Sequence, residues 1–271
     1  MPPSEQRLGG GRSTAGVVRI GDTVHRPTGP WTPTIHDYLR HLRASGFNAA
    51  PEVLGIDDKG REVLTYIPGD TWGDHIDPDE PKTDLVTIRT WPDTTRSDSA
   101  LAAAGRLLAS LHLAARGFRP TAPIWREYEL PMRDDEVVCH VDSGPWNTVY
   151  RDGTPVALID WDGARPARPI DDLASAAWDF VPLGPDDFLE ACGFAPPFDT
   201  ARRLRIFCDA YGLADARSVL PALGLVKQLE PMHLRYWQPL PPGIAAKHLR
   251  ATVGDLEWLE RASASLRAAL A

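Results

Sequence analysis

His140, Asp142 and Asn147 follow one another as H-x-D-x-x-x-x-N, and an apolar run soon afterwards ends at Ile159-Asp160-Trp161-Asp162. Between them, Thr148-Val149-Tyr150-Arg151 and Pro155-Val156-Ala157-Leu158-Ile159 flank Asp152-Gly153-Thr154, the pattern of two short strands around an Asp-Gly turn. A hairpin there returns Asp160 to the side of Asn147. An amide oxygen and a carboxylate at the open end of one hairpin can share Mg2+, a hard cation that takes few protein oxygens and completes its shell with phosphates. Asp142, on the loop just before, is placed to accept the proton of an attacking hydroxyl. The chemistry that suits this set is phosphoryl transfer.

Residues Cys139-His140-Val141-Asp142-Ser143-Gly144-Pro145-Trp146-Asn147, the strand into Asp160 and the later Asp172-Leu173-Ala174 carry a resemblance. The segment resembles the H-G-D-x-x-x-x-N and I-D-[WF]-[DE] signature of the aminoglycoside phosphotransferase and choline kinase-like phosphotransferase family, relatives of the protein kinases. The family's glycine is Val141 here. The resemblance implies that Asp142 is the catalytic aspartate, that Asn147 and Asp160 are metal ligands, that His140 braces the loop and that Asp172 caps the helix it opens. It also implies an α+β, two-lobed protein-kinase-like fold. Residues 1–67 would form a small, β-rich nucleotide-covering lobe, and residues 68–271 a larger, mainly helical lobe with the catalytic and acceptor sites. ATP or GTP with Mg2+, and a small hydroxylated antibiotic or metabolite, are the expected partners.

The surrounding sequence supplies elements to position these groups. Val17 to Ile20, the turn Gly21-Asp22 and Thr23 to Arg26 read as strands, and Pro33 to Ala44 carries Ile35, Leu39 and Leu42 at helical spacing. Val53 to Ile56 and Glu62 to Ile67 read as a second hairpin, broken by Pro68-Gly69. A polar, proline-rich stretch follows. Ser97 or Asp98 then caps a helix from Ser99 to Arg116 that Gly117 stops. Asp171-Asp172 opens another helix, and residues 200–211 and 251–270 continue the helical pattern.

The nucleotide end is read from strand parity. Val24 and Arg26 share one face of their strand, so Val24 is expected to roof a base and Arg26 to reach phosphate. In the resembling family a lysine holds that position, fixed by a glutamate on the next helix. Here the residue is arginine, a longer and planar donor, and the helix offers only Asp37. Tyr66 and Ile67 precede the lobe boundary, where family members meet adenine through the backbone. Val149 and Ile159 are candidates for the floor beneath it. The glycines Gly9, Gly10 and Gly11 could bring backbone amides close to phosphate.

Composition narrows the alternatives. Lys+Arg total 29 against Asp+Glu 37, a net charge of −8 that opposes nucleic-acid binding. No apolar run suffices to span a bilayer, the start lacks a signal-peptide pattern, and a cytoplasmic location is expected. Cys139, Cys192 and Cys208 form neither a disulfide framework nor a metal knuckle. The histidines make no H-E-x-x-H pair, and no G-x-S-x-G elbow supports acyl transfer. Acidic residues from Asp70 to Asp84 read as a solvated loop. The rival reading is a nucleotide-binding pseudokinase. Arg26 and the missing helix glutamate favour it, and the intact Asp142, Asn147 and Asp160 oppose it.

Overall fold

Turn residues and β-branched pairs shape the N-terminal part of the chain. The computed structural model describes residues 4–8, 16–72, 90–233 and 243–271. Strands β1 (Gln6–Arg7), β2 (Val18–Ile20), β3 (Thr23–Pro27), β4 (Val53–Ile56) and β5 (Arg61–Thr65) form an antiparallel sheet in the order β1-β2-β3-β5-β4. Gly21, at φ +59°, makes the tight turn between β2 and β3. The β3–β5 register sets Val24 opposite Leu64 and Arg26 opposite Glu62.

Helix α1 (Thr32–Ala44) begins with Pro33, whose fixed φ suits a first turn. Ile35, Tyr38, Leu39 and Leu42 make its buried face. That face reaches beyond the sheet: the Tyr38 hydroxyl donates to the Val138 carbonyl at 2.5 Å, and its ring meets Phe118 at 5.1 Å and Trp161 at 5.9 Å. One apolar core thus runs from α1 into the helical part of the molecule.

The remaining chain is mainly helical. After the single turn α2 (Asp93–Arg96) comes α3 (Asp98–Ala114), capped by Ser97, whose Oγ accepts from the Ala100 amide at 3.2 Å. Leu101, Leu108 and Leu111 bury its inner face, and truncating such a leucine to alanine costs about 2–5 kcal/mol. Two small ladders follow: β6 (Val137–Cys139) with β9 (Arg165–Ala167), and β7 (Thr148–Arg151) with β8 (Thr154–Leu158). Helices α4 (Pro169–Phe180), α5 (Asp186–Ala191), α6 (Thr200–Tyr211), α7 (Leu220–His233) and α8 (Ile244–Ala269) complete an α+β fold of two unequal lobes. A Cβ on Gly105 of α3 would sit 2.6 Å from the Phe207 carbonyl oxygen of α6, so glycine there lets the two helices approach closely.

Asp172 does not cap α4. The helix starts at Pro169 with Arg168 at the cap position, and Asp172 lies inside the first turn with its carboxylate turned towards the loop after β6. Proline at the first turn removes one of the amides a cap would serve, and both Asp172 oxygens are spent elsewhere, on the Val141 amide and His112. The glycine cluster Gly9 to Gly11 and the acidic residues Asp74, Asp77, Asp79, Glu80 and Asp84 lie outside the described residues. No helix among the described residues is long and apolar enough to cross a membrane.

Candidate active site

The β7–β8 hairpin turns at Asp152 and Gly153, both at positive φ, and its open end carries Asn147 and Asp160. The Ile159 amide donates to the Asn147 carbonyl at 2.9 Å, which brings the two ends of the hairpin side by side. Asn147 is buried and spends its amide protons on Asp142: Nδ2 donates at 2.8 Å to both the Asp142 carbonyl and its Oδ2. The amide oxygen is thereby turned away from Asp142. Trp146 Nε1 donates at 2.8 Å to the other carboxylate oxygen of Asp142, a residue that remains exposed.

His140 is fully buried beneath this loop, its Nε2 bonded at 2.9 Å to the Ile159 carbonyl and its ring edge-on to Trp161 at 4.6 Å. Burial pulls its pKa down. It donates Nε2–H as a neutral ring and ties the loop before Asp142 to the residue before Asp160. Two residues around that tie hold left-handed backbone, Val141 at φ +61° and Asp160 at φ +62°. For a β-branched valine this conformation costs on the order of 1–3 kcal/mol, so the loop keeps a glycine-like path although the glycine is absent.

Opposite Asp160 stands Arg26. Its guanidinium is buried and meets three carboxylates: Nε to Glu62 at 3.1 Å, Nη2 to Asp160 at 3.0 Å and Nη2 to Asp162 at 2.5 Å. Burial alone would lower the arginine pKa, but Asp160, Asp162 and Glu62 outweigh it and push it up. Asp162 moves the other way from a simple paired acid. Burial raises its pKa, and the attraction of Arg26, opposed by Asp160 and Glu62, does not cancel that rise. One guanidinium is shared among three acids, with Arg126 adding a second cation 3.4 Å from Asp162.

The glutamate expected on α1 is supplied by β5 instead. Glu62 faces Arg26 across the strand pair, and His36 of α1 holds its other oxygen at 2.8 Å. Asp37 is exposed and pairs with Arg40 at 3.0 Å, away from Arg26. Val24 is half-buried on β3. Tyr66, half-buried under the Arg19 guanidinium at 3.7 Å, donates its amide to the Asp22 carbonyl. Ile67 is half-buried just beyond, and the chain then docks on the hairpin. Pro68 accepts from Arg151 Nε, and Asp70 and Tyr150 exchange both backbone hydrogen bonds. A Cβ on Gly69 would lie 2.5 Å from the Tyr150 carbonyl oxygen and from a Val149 methyl, so the linker seats directly on Val149. Val149 is buried and Ile159 half-buried.

This β-sheet-and-helix arrangement around an H-x-D loop and an Asp-ended hairpin defines a protein-kinase-like phosphotransferase. Residues 121–207 match the model of the APH phosphotransferase enzyme family, and the chain belongs to that family, whose enzymes move a phosphoryl group to a hydroxyl of a small molecule. Among individual proteins, it is 38% identical over 211 residues to the trifolitoxin immunity protein of Rhizobium leguminosarum bv. trifolii, spanning 76% of this chain and 73% of that one. Its fold is similar to that of the amicoumacin kinase hAmiN, solved with AMP-PNP, Ca2+ and amicoumacin (TM-score 0.61, 14% identity, 95% of this chain and 88% of that one). It is likewise similar to the choline kinase LicA of Streptococcus pneumoniae (TM-score 0.57, 16% identity, 96% and 95%). A third similar fold is APH(2")-IIa in its streptomycin–ATP ternary complex (TM-score 0.57, 10% identity, 95% and 94%).

Glu62, Asp162, Arg126 and His36 were not singled out by the sequence reading. Strand parity does put Glu62 on the same face as the buried Leu64, a position where an unpaired acid is costly and a cationic neighbour is therefore to be sought.

Proposed function

We propose that the protein transfers the γ-phosphoryl group of ATP or GTP to a hydroxyl of a small antimicrobial compound or metabolite, protecting the cell that makes it. One observation carries the reading: Asp142, Asn147 and Asp160 are joined through Asn147, which bonds to Asp142 by its side chain and to Ile159 by its backbone. A candidate base and two hard oxygen donors are thus fixed in one unit. The relative's role in immunity to trifolitoxin, and the amicoumacin and streptomycin bound by the similar structures, support an antimicrobial acceptor.

In this reading the nucleotide lies between residues 1–67 and 68–271. The Tyr66 carbonyl and the Ile67 backbone offer groups to the base, Val24 covers it, and Val149 and Ile159 lie beneath it. The donor set suits Mg2+, since the Asn147 amide oxygen and the second Asp160 oxygen accept no hydrogen bond among the described residues. Bound Mg2+ would neutralise charge on the β- and γ-phosphates. Asp142 orients the acceptor hydroxyl and takes its proton as oxygen attacks the γ-phosphorus, the bond to the bridging oxygen breaks, and nucleoside diphosphate leaves. Trp146 and Asn147 fix the Asp142 carboxylate for that step. Arg26, held among carboxylates, aligns Asp160 and lies at the phosphate end of the cleft.

The test is incubation of the purified protein with ATP or GTP, Mg2+ and a panel of hydroxylated antimicrobials and metabolites, read by mass spectrometry. A phosphate-mass gain on an acceptor, lost in Asp142→Asn, is the expected result. Nucleotide binding with no gain on any compound and no hydrolysis would instead favour a binding protein without turnover.

A further inference from the structure

A recess of about 400 Å3 lies between α1 and the β4–β5 hairpin, lined by Thr32, His36, Asp37 and Arg40 on the helix and by Ile56 and Gly60 on the hairpin. None of Arg26, Asp142, Asn147 or Asp160 lines it. Thr32, His36 and Arg40 stand at steps of four along α1 and so share one face of the helix. Thr32 is buried; its Oγ1 accepts the Gly29 amide at 2.9 Å and keeps its own proton to give. His36 is 6% exposed, with Nε2 2.8 Å from Glu62 Oε2. Its Nδ1 makes no hydrogen bond among the described residues and is not sealed from solvent, so the recess is where a partner for it can sit.

These groups converge on one kind of ligand. Arg40 is exposed and paired with Asp37 at 3.0 Å, a surface contact within one helix that yields readily to a better partner. The recess also reaches the start of α1, where no acidic residue stands in the first turn and no side chain caps the helix, so the positive end of its dipole is uncompensated. A phosphate group accepts from a hydroxyl and a guanidinium through its charged oxygens. It also exchanges a proton near neutral pH, so it can meet Nδ1 in either state of the ring, giving a proton to a neutral imidazole or accepting from a charged one. A carboxylate, which only accepts, suits the charged ring alone. Asp37 on the rim opposes an anion, but it is exposed and water and salt screen its charge.

What His36 holds leads to the catalytic hairpin. Glu62 turns its other oxygen to Arg26 Nε at 3.1 Å, and Arg26 Nη2 lies 3.0 Å from Asp160 Oδ1. We propose that the recess is an effector site for the phosphate group of a small molecule, and that its occupancy is felt at Asp160 through His36, Glu62 and Arg26. Phosphate that engages His36 and Arg40 pins α1 beside the β4–β5 hairpin, keeps Glu62 aligned on Arg26 and favours the placement of Asp160 that receives Mg2+ and nucleotide. The coupling rests on the reading of Asp160 as a metal ligand; the binding of phosphate does not.

The experiment titrates inorganic phosphate into the full chain and into Arg40→Gln, Thr32→Val and Thr32→Ser, following the His36 ring and the α1 amides by NMR, and measures the affinity for ATP with Mg2+ by calorimetry with and without phosphate. Expected is saturable binding at His36 in the millimolar range in wild type and in Thr32→Ser, which keeps the hydroxyl, weakened at least fivefold in Arg40→Gln and Thr32→Val. Saturating phosphate should tighten ATP binding two- to fivefold in wild type and leave Arg40→Gln unmoved. No response at His36, or an equal response in wild type and Arg40→Gln, would overturn the site. Weaker ATP binding with phosphate in both proteins would mean competition at the nucleotide site and would overturn the coupling, as would an unchanged affinity. If wild type binds no ATP under any condition, the titration still decides the recess, and it is the phosphotransfer reading that fails.

Discussion

Arg26 Nη2 lies 3.0 Å from Asp160 Oδ1, so the β3 arginine and the aspartate that follows the β7–β8 hairpin are joined directly, with Asp162 and Glu62 completing the guanidinium's shell. The arginine is therefore part of what holds the β3 sheet to the hairpin. Arg26→Ala leaves three carboxylates facing one another in a poorly solvated site, and removing one partner of a buried pair typically costs about 3–5 kcal/mol. Urea denaturation should register a loss of that size. Added Mg2+ should recover part of it in the variant and little in the wild type, because a cation can again sit among the acids.

Asp160→Ala addresses the hairpin's open end. Calorimetry of wild type should give tighter ATP or GTP binding with Mg2+ than with chelator, and the variant should lose most of that difference. Equal binding under both conditions in the wild type would rule out Asn147 and Asp160 as a ligand pair.

Asp142→Asn preserves the shape of the side chain and removes its capacity to take a proton. Turnover should fall roughly 100- to 10,000-fold, the range for losing a positioned base. Nucleotide affinity should persist, and the melting temperature should fall by no more than a few degrees, because the exposed asparagine keeps one of the two accepted hydrogen bonds and turns its NH2 from the other donor. Wild-type turnover in this variant would remove Asp142 from the mechanism.

Glu230 of α7 gives the protein an acid-sensitive joint. It lies 3.2 Å from Lys227 and 3.0 Å from His248 of α8. Burial pushes its carboxyl up, yet the His248 hydrogen bond and the Lys227 charge prevail and hold its pKa at about 2, against an ordinary 4.5. A depressed carboxylate pKa stabilises the fold above its ordinary value and loses that contribution as pH falls through the folded one. Wild type should thus exceed Glu230→Gln by about 2–3 kcal/mol at neutral pH, with the gap closing between pH 4.5 and 2. Denaturant midpoints across that range make the measurement; a gap independent of pH would exclude the linkage.

The parts legible in the sequence were those encoded locally. Asp152-Gly153 announces its turn, Ser97 its cap and Pro33 its helix start, because each signal acts on residues within a turn of itself. The Arg26–Glu62 pair was not legible, since β3 pairs with β5 while β4 lies at the sheet edge, and that order depends on tertiary packing. Asp172 looks like a helix cap in one dimension. Only the fold brings His112 and the Val141 amide to its two oxygens.

Helix α1 sets how the molecule comes apart. Tyr38, Leu39 and Leu42 belong to the same core as Leu111, Leu158 and Trp161, and Leu64 carries the sheet into it. The sheet thus has its footing in the helical lobe, and unfolding of one part strips apolar cover from the other. Heat should dissolve the protein in one cooperative transition, and a fragment cut at the linker would leave the inner face of α1 wet and prone to aggregate.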